Sequence, residues 1–303
     1  WQAFSTVEGQ PKRSRKEVRS TDFEYCEDMV KKAEYEAWVL GKQFGRHQNA
    51  YYALYALQTE LNYVWLKAES HDPQRKRLLF WQAAVGQLFE GKVEGTPVVR
   101  ALHHVVQNYD IERFVLRRMI STRLAHVGVQ QIPDVKSLGT YIDGVSTSLL
   151  YLLLQVSGVQ DPQAEHAAMH VGKALGVVHL LRFTPVVLQR RQTFFPADIC
   201  AQTGLSEEDM YRYDGSEPHE QFQRVVFEMA QEAMAHIKHM RTLPDIPKEA
   251  HPVLLHSVLA ETYLNRLRKF RFNVFDDRLS NQTAGAVFTW QLFRHSVFQG
   301  GRP

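Results

Sequence analysis

Four histidines stand in two pairs at helical spacing. His166 and His170 are four residues apart with Glu165 beside them, and His236 and His239 are three apart. Imidazoles spaced i, i+4 share one helix face and can hold a transition metal between them. The His-Glu-x-x-His order of a zinc hydrolase is absent and neither pair has a third ligand near it in sequence. The expected role of both pairs is therefore a polar seam between helices. His103 and His104 are adjacent and face different ways. Three arginines, Arg182 and the neighbours Arg190 and Arg191, have the paired N–H groups that grip a phosphate or a carboxylate; an internal salt bridge or a protein contact is the ordinary alternative. Cys26 and Cys200 have no basic partner nearby in sequence and are expected as buried thiols. There is no Ser-His-Asp order, no phosphate loop and no Gly-x-Gly-x-x-Gly. The tyrosines at 51, 52, 55 and 63 lack interleaved Lys or Arg, so they read as core or cavity lining, not as a base-stacking platform.

Composition narrows the classes. With 303 residues, 44% hydrophobic and 23% charged, the chain can bury a large core and is not a disordered polymer. A formal charge of only +3 carries no nucleic-acid footprint, so contact with nucleic acid is expected only indirectly. Two distant cysteines suit a reducing compartment. The apolar run near 148–156 is broken by Gln155, and no membrane span is expected. Residues 11–19, PKRSRKEVR, are basic and polar; the tail of an organelle-targeting region and a solvated arm both fit. Residues 1–21 are accordingly set apart as a basic extension, and 299–303 as a tail.

The elements that must position these residues are helices. Apolar periodicity and capping signals predict helices over 22–40, 48–69, 74–90, 97–108, 110–127, 134–157, 162–184, 218–242, 250–270 and 283–297, with a brief one after Ser206. Thr21-Asp22, Thr96-Pro97, Pro133-Asp134 and Asp161-Pro162 mark starts, and Thr184-Pro185 is expected to stop the helix it follows. No β-alternation, repeat or internal composition shift appears. The fold class is therefore all-α, one domain over 22–298, a layered bundle around a central helix or cavity.

The stretch Gly172–Pro196, GKALGVVHLLRFTPVVLQRRQTFFP, resembles the second metal-binding segment of the squalene/phytoene synthase family. Gly172, Ala174, Leu175, Arg182, an arginine at 190 or 191, and Pro196 fit its pattern. Arg77 to Trp81 and Thr96-Pro97-Val98-Val99-Arg100-Ala101-Leu102 resemble two further family segments, as does Tyr141 to Gly158, so the likeness covers most of 22–270. Active members have an isoprenoid synthase bundle in which two acid motifs on facing helices hold Mg²⁺ and a substrate diphosphate. The resemblance puts 48–69 and 162–184 across that cavity. It places family aspartates at Asn62 and Leu66, a family arginine at Thr59, the family Asn at His179, an Asp at Phe183 and an acidic pair near Val186 and Val187. In the first motif only Glu60 is acidic, and it points about 160° of helix away from Asn62. Mg²⁺ needs carboxylate oxygens. The resemblance with these losses implies a pseudoenzyme with a degenerate central cavity and no cofactor, metal site or catalytic residue.

Further matches, among them Ser148 to Leu152, His166-Ala167-Ala168, His170, Thr184-Pro185, Asp198-Ile199-Cys200, His236 and Lys238-His239, resemble a branch of the family that works in assembly of mitochondrial NADH:ubiquinone oxidoreductase, complex I. That branch implies a matrix protein peripheral to the inner membrane, with other mitochondrial proteins as partners and room for a lipid in the old cavity. Two alternatives stay open: a subunit or maturation factor of another large mitochondrial assembly such as the mitoribosome, and an active prenyl-diphosphate transferase. Arg182 is expected to be buried with a carboxylate, carbonyl or anion as partner, and Arg190 and Arg191 to be exposed at the pocket mouth.

Overall fold

A computed structural model describes residues 15–67, 70–91, 95–279, 288, 289 and 292, leaving out the side chains of 15–20, 66 and 67. The predicted helix 283–297 is thus described only at Phe288, Thr289 and Leu292, where it is helical, and the domain end at 298 and the tail lie outside the described residues. The described residues are mostly helical, and no β-strand forms among them.

The first predicted helix is two. α1 runs Arg15–Ala33 and α2 Tyr35–Gly41, with Glu34 between them in a non-helical conformation. Residues 15–21, expected in the basic extension, are the first turns of α1. Asp22, expected as a cap, lies inside that helix and spends its carboxylate on Arg100, whose Nη2 donates at 2.6 Å. α3 follows at Gln48–Lys67; every residue from Tyr51 to Thr59 is buried, so it packs on all sides. α4 is His71–Leu88, α5 Pro97–Asn108 and α6 Arg113–Ala125. α5 starts where Thr96-Pro97 predicts, with the Thr96 hydroxyl accepting from Val99 N–H.

The predicted helix 134–157 begins at its Asp134 cap but is not regular. α7, Val135–Ile142, widens into a π-turn at Asp143–Thr147 before α8, Ser148–Val156. The bulge puts Gly144 against Thr122, and Ser148 Oγ donates to the Asp143 carbonyl. α9 is the long central element, Pro162–Leu188, capped by Asp161. It does not stop at Thr184-Pro185. Pro185 falls in the last turn and removes a single backbone bond, while Thr184 Oγ1 donates to the Leu180 carbonyl at 3.0 Å. The helix closes at Arg191, left-handed at φ 52°.

α10 (Ala197–Thr203), α11 (Glu207–Arg212), α12 (Glu220–Met240), α13 (His251–Leu254) and α14 (His256–Lys269) complete the bundle. Two apolar clusters share α9: its N-terminal half packs with α1–α6 and α8, and its C-terminal half with α7, α10–α12 and α14. Contrary to expectation, α9 is long and apolar enough to cross a membrane, with mean hydropathy 1.5 over an eighteen-residue window. That window is 72% buried, so its apolarity is spent on the core. Cys26 and Cys200 are buried as expected, and burial pushes their thiols up to about 12 and about 11.

α9 meets the π-turn at two glycines one turn apart. A Cβ on Gly172 would lie 2.6 Å from the Cα of Thr147, and one on Gly176 2.3 Å from Ile142. Gly172→Ala should therefore destabilise by about 2 kcal/mol despite its better helix propensity, because backbone must move. Gly86→Ala on α4, where a Cβ meets nothing within 4 Å, should stabilise by up to about 1 kcal/mol. Urea unfolding of the two variants checks this; equal effects would contradict the close approach.

Candidate functional site

The central cavity lies between α3 and α9. Its walls are Gln58, Asn62 and Trp65 of α3, Tyr141, Ile142, Val145 and Ser146 around the π-turn, Gly176, His179, Leu180, Phe183 and Val187 of α9, and Phe194 from the loop after it. Asn62, His179 and Phe183 are thus brought together. Leu66 follows on α3, but its side chain lies outside the described residues. The cavity is narrow, about 30 Å³, space for about two waters. A prenyl or acyl tail would enter only by displacing rings such as Phe183 and Phe194.

The polar end of the cavity is organised by a residue that sequence reasoning missed. Arg123 of α6 is 1% exposed. Its guanidinium donates to Gln58 Oε1 at 3.0 Å, to Asn62 Oδ1 at 2.9 Å and to the Met119 carbonyl at 2.9 Å. Burial lowers it to about 10, with Tyr141 and Glu34 acting the other way, so it remains a cation at neutral pH. The signal was available: Arg123 continues the buried row Leu116, Met119, Ile120 at helical spacing.

The second missed residue is Glu34, in the break between α1 and α2. Its carboxylate is 18% exposed and lies 3.8 Å from His179 Nε2. Burial raises its pKa, while Arg182, Arg123 and a hydrogen bond with Asn62 oppose the rise. His179 is pushed down to about 3 by burial and by the arginines at 182 and 123, so the contact joins a neutral imidazole to an acid. Gln58 Nε2, Trp65 Nε1 and His179 Nδ1 are buried without a hydrogen-bond partner among the described residues, all on lining residues.

Would this site hold the Mg²⁺ cluster of the resembled enzymes? None of the described lining residues carries a carboxylate. The two amide oxygens on that face of α3 already accept from a buried cation. A guanidinium fixed there would repel Mg²⁺ and competes for the same oxygens. The donor set does not fit.

Two of the three arginines fall otherwise than expected. Arg182 is exposed, with its guanidinium 5.7 Å from the Tyr263 ring centre. Arg190 is half-buried and donates to the Trp65 carbonyl at the end of α3. Arg191 is exposed, stacked 4.9 Å over Tyr211. The first reversal follows from helix phase: on α9 the positions flanking 182 that face the core are Leu181 and Thr184. The loop itself is tied down, with Thr193 N donating to the Gln130 carbonyl at 2.8 Å and Ala197 N to Ile132 at 2.9 Å. The tyrosine stripe is core: Tyr51 and Tyr55 stack, and Tyr55 stacks on buried His256.

Comparison with known proteins places this geometry. Residues 44–284 match the family model for squalene/phytoene synthase. A rat protein named NADH dehydrogenase (ubiquinone) complex I, assembly factor 6, is 34% identical over 260 residues, covering 85% of this chain and 77% of the relative. The human protein of that name is 29% identical over the same coverage. Among solved structures, a dehydrosqualene synthase superposes with TM-score 0.78 at 19% identity, covering 92% of this chain and 98% of that one. A squalene synthase from Alicyclobacillus acidocaldarius gives 0.70 at 18% identity, over 85% and 96%.

The neutral histidines predict an acid response. His179 and His256 are held by burial near 3 and near 4, against 6.5 in the unfolded chain. Above pH 6.5 neither state takes up a proton. Below it the unfolded chain binds protons that the folded one refuses, so stability falls with pH until the folded values are reached. Each histidine contributes up to about 1.4 kcal/mol per pH unit in that window. Glu34, raised by burial, works in the opposite sense. The double variant His179→Asn with His256→Gln should flatten the dependence of urea stability between pH 6.5 and 4.5; an unchanged slope would contradict the assignment.

Proposed function

The chain belongs to the squalene/phytoene synthase family, and from that premise we propose that it is a non-catalytic member, an assembly factor for respiratory complex I in mitochondria. One observation carries the non-catalytic half: the Arg123 guanidinium sits on the oxygens of Gln58 and Asn62, where prenyl transfer would need carboxylates and Mg²⁺. The names of the relatives support the other half. Matrix placement beside the inner membrane is part of the reading. The burial of α9 favours peripheral contact, since the segment apolar enough to span is spent inside the bundle. The narrow cavity favours protein surfaces over a lipid tail as the working contact.

The test is purification of the tagged protein from cross-linked mitochondria of its own organism, with the pure protein assayed for Mg²⁺-dependent turnover of a prenyl diphosphate. Complex I subunits or their assembly intermediates should co-enrich, and turnover should be absent. Turnover, or stoichiometric ribosomal proteins with no complex I subunit, would overturn the reading.

For the contact surface, the exposed cations Arg182 and Arg191 are the candidates on this side, facing an acidic protein surface or anionic headgroups. Arg190, tied to Trp65, is the less suitable residue to remove. Arg191→Ala with Arg182→Ala should reduce co-enrichment several-fold while leaving the melting temperature within about 2 °C. Full co-enrichment would move the interface elsewhere.

A further inference from the structure

The two histidine pairs, separate in sequence, meet in space. α12 packs along α9, and His236 and His239 on α12 face His166 and His170 on α9. We propose that His166, His170 and His239 form a binding site for a divalent transition-metal cation, with zinc as the reference ion, that clips α9 to α12.

The first support is the spacing of the nitrogens. His166 Nε2 and His170 Nε2 are 3.2 Å apart. Two imidazoles bound tetrahedrally to zinc at about 2.05 Å place their nitrogens about 3.3 Å apart. One ring nitrogen from each of the three histidines lies within 4.8 Å of the others. His166 and His239 are exposed, so their rings can close the remaining gap by side-chain rotation without moving either helix.

The second support is the proton count. His170 has an imidazole nitrogen against each of its own: His166 Nε2 on one side and His236 Nδ1, at 2.7 Å, on the other. His236 Nε2 in turn lies 3.4 Å from the Glu232 carboxylate. One assignment satisfies the chain from the acid inward. His236 carries its proton on Nε2, on the side of the Glu232 carboxylate, and accepts at Nδ1 from His170 Nδ1–H. That leaves the His170 Nε2 lone pair aimed at His166. A metal-binding histidine is commonly held in its ligating tautomer in this way, by a partner on its second nitrogen. His236 and Glu232 are therefore positioning residues, while the other three ligate.

The charge around the cluster is mixed. Lys173, one turn further along α9, disfavours a cation, but its ammonium lies 3.8 Å from Asp143; Glu165 and Glu232 favour one. Imidazoles select zinc, copper, nickel or cobalt over Mg²⁺. The site lies about two and a half turns of α9 from His179 and does not involve the cavity. Its fourth position faces solvent.

The experiment uses the whole chain, stripped with EDTA and titrated with Zn²⁺ against a chromophoric chelator. One equivalent should bind, and His170→Ala or His239→Ala should weaken it at least 100-fold. His236→Phe should weaken it about 10–100-fold, as expected of a positioning residue. His71→Ala, at an exposed histidine on α4, should leave it unchanged. Co²⁺ in place of Zn²⁺ should give the intense visible absorption of a tetrahedral nitrogen site in the parent and lose it in His239→Ala. His239 is exposed, so that variant reports even if His170→Ala fails to fold. Equal Zn²⁺ affinity in parent and His239→Ala, equal loss in His71→Ala, or a Co²⁺ spectrum that stays octahedral would overturn the proposal.

Discussion

A buried positive charge with neutral partners is the constraint from which the middle of this protein follows. The Arg123 guanidinium is out of water; it holds α6 to α3 through two side-chain amides and donates besides to the Met119 carbonyl of its own helix. Burying it is tolerable only while those acceptors are in place and an acid is within reach. Gln58 and Asn62, one turn apart on α3, supply the acceptors, and the break at Glu34 supplies the acid. His179 remains neutral because burial, and then the arginines at 182 and 123, disfavour a second cation there. The positive charge at this end of the cavity is thus a side chain of the protein itself.

The bundle superposes well on dehydrosqualene synthase at 19% identity, so the two share a fold. In this chain the frame draws on close contacts such as the approach of α9 to the π-turn at Gly172 and to Ile142 of α7 at Gly176. Fold and reaction can separate when packing alone holds the frame.

Much of the frame was legible in the chain. Thr96-Pro97 and Asp161-Pro162 mark their helix starts because the cap and the fixed proline φ act locally, within three residues. The positions of Asn62, His179 and Phe183 in one cavity were legible from the family segments. The misses are non-local. Asp22 reads as a cap until Arg100, 78 residues on, claims its carboxylate. Glu34 breaks a helix with no Gly or Pro to announce it, because its acid is drawn inward. Pro185 reads as a stop, but a helix ending three residues later loses little by containing it. The meeting of the two histidine pairs was likewise not legible, since the helices that bring them together lie some seventy residues apart.

The burial of α9 has a consequence for how the chain must be made. Its cover comes from both directions: α3 and α8 precede it, while α12 and α14 lie up to residue 269. Until that C-terminal part has been synthesised or delivered, a 27-residue segment with the hydropathy of a membrane span has one side uncovered. During that interval water, a bilayer and a chaperone compete for the same surface. Cleavage or truncation between α9 and α12 would restore that condition permanently, turning a core helix into a sticky one. The order in which the chain becomes available is thus as much a part of its solubility as the composition of its final surface.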